Sequence, residues 1–187
     1  RDILALRLAH HGYFCRGDSQ NLRDVISRVQ HAWDDQVPGY GYVEGMHAFG
    51  LEETHFYGHA IDKGHSAVEH TPINPWAIHA VAHVHEMTDD PKGGINWLAE
   101  TESNLSHTNN FRYHVWWHRA LMHLDLGQYD KVLELYDQNI WDPESDEYLD
   151  LCNDAALLMR LELHGVNVAD RWQSLAEKCR HRQADCI

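Results

Sequence analysis

The sequence predicts an all-α protein built from antiparallel helix pairs, and three observations carry that prediction. Apolar residues recur at helical spacing through most of the 187 residues, and almost nothing alternates as a strand does. The five prolines, Pro38, Pro72, Pro75, Pro91 and Pro143, stand at the edges of the periodic segments, where a residue that cannot continue a helix belongs. Ala48, Ala82 and Ala120 take equivalent places in successive segments, 34 and then 38 residues apart.

Each pair follows in turn. The first has helices from about Asp2 to Cys15 and from about Asn21 to Trp33, turning at Arg16-Gly17-Asp18. The second fills Tyr40 to His70, is broken near Glu53 to Phe56, and closes at Thr71-Pro72-Ile73-Asn74-Pro75. The third spans Trp76 to Glu102, and Asp89-Asp90-Pro91-Lys92-Gly93-Gly94 reads as its break. The fourth runs from Phe111 to Asn139 with Leu126-Gly127-Gln128-Tyr129 at its turn, and the fifth from about Tyr148 to Arg180 around His164-Gly165-Val166-Asn167. The 34-residue interval is the tetratricopeptide period, and the fourth pair carries more of that pattern in Trp116, Ala120, Gly127, Tyr129, Tyr136 and Pro143. The expectation is one tetratricopeptide-like α-solenoid domain over 1–187, with hairpins at about 1–37, 40–75, 76–110, 111–146 and 147–187.

Composition limits the partners. Lys+Arg 15 against Asp+Glu 29 gives a net charge of −14, so the phosphate-neutralising surface that nucleic acid or anionic lipid needs is missing. No apolar run is long enough to span a membrane. Cys15, Cys152, Cys179 and Cys186 form no C-x-x-C pair, which reads as reduced thiols. With no signal segment after Arg1, the expected location is cytoplasmic. An open solenoid end exposes apolar surface, so oligomers fit the expectation.

The 17 histidines are the unusual number. On a helix, residues four apart lie on one face with Cβ atoms about 5–6 Å apart, a spacing at which two imidazoles can share an ion. His79 with His83 and His114 with His118 have that spacing, and Glu86 joins the first stripe. Measured from the small alanine, all five point to one half of their helices, and the register of a solenoid sets the two stripes across one helix seam. Glu53 falls on the corresponding face of the preceding repeat. Imidazoles with a carboxylate suit a divalent ion such as zinc or iron, with Glu86 or Glu53 as a base for hydrolytic or oxidative chemistry.

First helices line the concave groove of such solenoids, which places Tyr42, Phe49, Trp76 and Trp117 on the groove side. The alternative to metal chemistry is a scaffold that binds a peptide, a partner protein or a small molecule there. Clustered imidazoles also suit a pH sensor. His85 and His123 face the second helices and read as buried and hydrogen-bonded, His55 and His59 as a solvated outer face, and Trp33 and Trp116 as core.

Four blocks go beyond a generic repeat. They are Tyr40-Gly41-Tyr42-Val43-Glu44-Gly45-Met46-His47-Ala48-Phe49-Gly50-Leu51-Glu52-Glu53, Trp76 to Met87, His114-Val115-Trp116-Trp117-His118, and Leu161-Glu162-Leu163-His164-Gly165-Val166 with Asp170-Arg171-Trp172. In these blocks the chain resembles the tetratricopeptide repeat protein 38 family and its bacterial relatives over essentially its whole length. The resemblance implies an internal portion of a longer α-solenoid and lends no established activity. The family's motif residues match here at His79, His83, Glu86, His114 and His118, whereas His47, His59 and His65 are peculiar to this sequence.

Overall fold

A computed structural model describes residues 1–106 and 108–182, and every regular element among them is helical. Four helix starts are written directly into the sequence. Asp2, Asp18, Asn74 and Asp90 each accept a bond from the backbone N–H three residues on, which satisfies a donor that the first turn leaves open. Pro75 and Pro91 follow two of these caps as first helical residues, where a missing N–H costs nothing.

Packing divides the chain into two compact units, Arg1–Thr108 and Asn109–Ile187. The first unit contains α1 (Ile3–Phe14), α2 (Ser19–Ser27), α3 (Tyr40–Glu52), α4 (Tyr57–His70), α5 (Pro75–Met87), α6 (Pro91–Glu100) and the single turn α7 (Glu102–Leu105). α1 packs on α2, α3 on α4, and α5 on α6, while α3 also meets α2 and α5. At Gly50 a Cβ would lie 2.6 Å from Arg23 Cα, so α2 and α3 touch backbone to backbone. The second unit contains α8 (Phe111–Asp125), α9 (Tyr129–Leu135), which runs into a π turn at Tyr136–Ile140, α10 (Tyr148–Leu163) and α11 (Arg171–Cys179). Its helices close over one apolar cluster that includes Trp116, Tyr136, Leu157, Leu158 and Leu161.

Each helix pair turns through the same motif. Gly17, His55, Asp89, Gly127 and Gly165 take positive φ of 66°, 66°, 56°, 68° and 77°. Each of these residues donates its N–H to a carbonyl three back. The next N–H reaches five back: Asp18 to Tyr13, Phe56 to Leu51, Asp90 to His85, Gln128 to His123 and Val166 to Leu161, all at 2.9–3.0 Å. These are Schellman stops. Their spacing of 38, 34, 38 and 38 residues counts five hairpins, as the sequence predicts.

Three local expectations are corrected. α2 stops at Ser27, and a 3-10 turn at Gln30–Ala32 takes the place of its last turn. Gly93 and Gly94 are not a helix break but lie in the first turn of α6. A Cβ on Gly93 would meet Asp90 Oδ2 at 2.0 Å, so glycine is what lets Asp90 close its cap there. His85 and His123 are hydrogen-bonded as expected, but both are half-buried. His85 bonds the Asp90 carboxylate at 3.0 Å and His123 the Gln128 carbonyl at 2.6 Å, so each braces its hairpin turn. Trp33 and Trp116 are core, and His55 and His59 are exposed. Cys15, Cys152 and Cys179 are free thiols, and Cys186 lies outside the described residues.

Candidate functional site

In the first unit the chemistry gathers where the end of α3 meets the middle of α5. His79 and His83, one turn apart on α5, have ring centroids 4.1 Å apart, and Phe49 of α3 packs on both at 5.8 and 6.1 Å. Trp76 stands edge-on to His79 at 6.4 Å. The last residue of α3, Glu52, is 5% exposed and brings Oε2 to 3.4 Å from His83 Nδ1. Glu53 follows and accepts a hydrogen bond from Ser19 Oγ at 3.3 Å. One ligand atom from each of Glu52, Glu53 and His83 lies within 4.8 Å of the others.

The electrostatics follow from this placement. Burial pushes the His83 imidazolium toward losing its proton, but the hydrogen bond and charge of Glu52, helped by Glu86 and Glu53, outweigh it and hold the pKa above the ordinary value. Glu86, on the same helix as His83, thus contributes through its charge, whereas the carboxylates within ligand distance of His83 are Glu52 and Glu53. Sequence reasoning named Glu53 and passed over Glu52. Its signal was the acidic doublet just before a helix stop, which turns both side chains toward the neighbouring helix.

The second unit holds the other pair. On α8, His114 and His118 face each other Nε2 to Nε2 at 3.1 Å, and His118 is 3% exposed. Asn153 of α10 reaches His114 Nδ1 with its amide nitrogen at 3.2 Å and its amide oxygen at 3.4 Å. An amide that offers both a donor and an acceptor serves either tautomer of His114, so the Nε2 lone pair can be released for a ligand without losing the anchor. Trp117 stacks on His114 at 5.6 Å with an interplanar angle of 14°, under the guanidinium of Arg160.

The groove residues divide by exposure. Tyr42 and Trp76 are exposed, Trp117 is half-buried, and Phe49 is buried. Tyr42, Phe49 and Trp76 share one pocket of about 350 Å³ in the first unit, walled by α1, α3 and the start of α5. α1 supplies Arg7 and His10, which the sequence reading had not assigned to a binding face.

No family model matches the chain. Among solved structures, a crystal structure of MamA superposes with a TM-score of 0.63 at 14% identity, covering 92% of this chain and 95% of that one. A second MamA structure gives 0.62 at 14% identity over 98% and 96%. The nearly identical TPR-like repeats of a Podosopora anserina protein described as a kinesin light chain give 0.61 at 16% identity, over 96% and 95%. At these identities the likeness is one of fold, and the fold of this chain is that of tetratricopeptide-like repeat proteins.

Proposed function

We propose that this protein is a tetratricopeptide-like scaffold that carries a divalent metal ion among its imidazoles and uses the face of its first helices to bind a partner. Membership of the tetratricopeptide repeat protein 38 family is part of the same proposal and rests on the four sequence blocks. The observation that supports the metal best is the Glu52 carboxylate, buried beside His83 with Glu53 at ligand distance. A buried carboxylate is costly unless paired or ligated. Nitrogen with two carboxylate oxygens suits zinc or iron. Ligand atoms on one tetrahedral ion lie roughly 3.3 Å apart, and those of this group all lie within 4.8 Å of one another, so binding asks for the side chains to draw together. The Nε2 separation of His114 and His118 likewise matches two nitrogens on one ion, since zinc–nitrogen bonds of about 2 Å in a tetrahedron set them roughly 3.3 Å apart.

Elemental analysis of protein purified without a histidine tag is the test. Near-stoichiometric zinc or iron that is lost in a folded His83→Ala, Glu52→Gln variant supports the proposal, and a metal-free, fully folded wild type overturns it. Loss in His118→Ala assigns the ion to the second pair. The metal-to-protein ratio counts the sites, and two ions per chain favour one on each pair.

The partner reading draws on the fold and on the groove residues. Tetratricopeptide-like folds commonly present a concave surface to peptides, and the exposed Tyr42 and Trp76, with Trp117, are the side chains a peptide, a partner protein or a small molecule would touch. Selection from a random peptide library checks it: ligands that bind the wild type and fail on Tyr42→Ala, Trp76→Ala support it, and ligands indifferent to both changes count against it.

A further inference from the structure

The pocket between α1, α3 and the start of α5 has a composition that specifies its occupant. At about 350 Å³ it stands at the small end of the roughly 300–1,000 Å³ range of small-molecule sites. Its walls are Leu4 and Phe14 of α1, Met46 and Phe49 of α3, and Trp76 of α5. One cation interrupts them. Arg7 lies half-buried with its guanidinium 4.9 Å above the Trp76 ring, and no carboxylate among the described residues pairs with it. In a chain with 29 acidic residues and 15 basic ones, an arginine left without an acid in an apolar wall is conspicuous. Burial lowers its pKa but leaves it charged, and a guanidinium pairs best with a planar, two-oxygen anion.

Of the other polar groups that line the pocket, Asn74 and the Nε2 of His10 are committed within the fold, His10 Nδ1 is buried without a hydrogen-bond partner among the described residues, and Tyr42 and His11 complete the lining. Asn74 donates to Gly41 O and accepts from Ala77 N. His10 donates Nε2–H to Met46 O at 3.0 Å, and burial lowers its pKa to about 4, so it adds no charge at neutral pH. A peptide backbone laid in the pocket would bring N–H and C=O groups with few partners to meet them. A molecule with one charged end and an otherwise apolar body asks for a single strong polar partner, which the Arg7 guanidinium supplies.

We propose that this pocket binds a small monocarboxylic acid with an aliphatic or aromatic body, its carboxylate paired with Arg7 and its body held among Phe14, Met46, Phe49 and Trp76. The inference rests on the reading of the first-helix face as the binding side and is independent of the metal.

Octanoate and 3-phenylpropionate are the probes, titrated calorimetrically into the 187-residue chain, with octanamide as the uncharged control. The expected result is that octanoate binds about tenfold or more tightly than octanamide. Arg7→Gln removes that preference while leaving octanamide unchanged, and Arg7→Lys keeps part of it. Arg7→Gln binding octanoate as the wild type does, or Arg7→Lys losing it together with Arg7→Gln, overturns the proposal. A leucine-terminated hexapeptide that binds more tightly than octanoate overturns the small-acid assignment and leaves the binding face standing. Silence from acids and hexapeptide alike up to about 5 mM, a dissociation constant worth only about 3 kcal/mol, overturns both.

Discussion

The two units solve the same packing problem differently. The second unit gathers most of its buried apolar residues, Trp116, Leu157 and Leu175 among them, into one cluster. The first unit includes smaller clusters, such as Leu6, Ile26, Trp33, Val43 and Met46, then Leu22, Ala48, Phe49 and Ala80, then Leu51, Ala60 and Val84. Between them it buries His10, Glu44, His47, Glu52, Asn74 and His79. Glu44 shows how such groups are accommodated. Burial raises its pKa, yet hydrogen bonds from Ser66, Lys63 and Tyr40 more than reverse this and keep it ionised. Polar groups buried among apolar ones make room for ligand-type side chains, whereas a large apolar cluster concentrates cohesion.

The largest expected effect tests that contrast directly. Leu158→Ala in the second unit removes a fully buried side chain from the middle of the cluster and is expected to cost about 2–5 kcal/mol. Leu51→Ala in the first unit, where the side chain is 8% exposed and borders a small cluster, is expected near the lower end of that range. Urea denaturation with hydrogen exchange resolved by peptide gives both numbers. Equal losses would remove the distinction between the units.

Acid should then separate the units by sign. Burial lowers the pKa of His10 and His47 to about 4, while their unfolded value is about 6.5. Between those values the unfolded chain binds more protons, so the first unit loses stability as pH falls, by at most about 1.4 kcal/mol per histidine from pH 6.5 to 5.5. His83, with its raised pKa, works in the opposite direction, contributing stability below its unfolded value that is lost as pH rises through its folded one. Two lowered histidines against one raised one leave a net loss. In the second unit, burial raises Asp154 to about 7, so the folded state holds the extra proton from about pH 4 upward. Stability there is greatest in acid and declines as pH rises toward 7. Exchange at pH 5.5 and 7.5, corrected for intrinsic rates, should show 1–108 weakened and 109–182 strengthened at the lower pH. Asp154→Asn should flatten only the second trend.

A smaller effect probes close helix contact in the first unit. Gly50→Ala drives a methyl into Arg23 Cα and N at 2.6 and 2.9 Å, which a backbone cannot avoid by changing rotamer. The expected loss is about 1–3 kcal/mol. Gly58→Ala on α4 meets nothing within 4 Å and should gain up to about 1 kcal/mol from helix propensity. A thermal melt that shifts both variants the same way would refute the close-contact account.

How much of this was legible in the sequence follows from how local each cause is. The turns at Gly17 and Gly127 and the His79–His83 pair are set within one or two helical turns, and the sequence shows them. Glu52 became visible only once the helix stop turned it toward α5, and Gly93 only once its missing Cβ could be set against Asp90. The Arg7 pocket depends on how α1 stands against α3 and α5, which no periodicity records. Asp154 reads as one more charge on an acidic helix until its burial is known.

The smallest effect uses the one motif that both units share. Each hairpin stop needs a left-handed residue, and the second unit places glycine at both of its stops, Gly127 and Gly165. The first unit has glycine only at Gly17 and forces His55 and Asp89 into the same conformation. That conformation costs a residue with a Cβ roughly 1–2 kcal/mol. Gly127→Ala should therefore destabilise the second unit by about that amount, although its Cβ would meet open space. His55→Gly should relieve the strain but also release a chain made floppier when unfolded and give up the bond from His55 Nδ1 to Tyr57 Oη at 2.7 Å. The net gain should be only about 0.5 kcal/mol. If instead His55→Gly destabilises the fold, the His55–Tyr57 bond outweighs the strain, and the first unit has turned a stop residue into a brace much as His85 and His123 brace the next two turns.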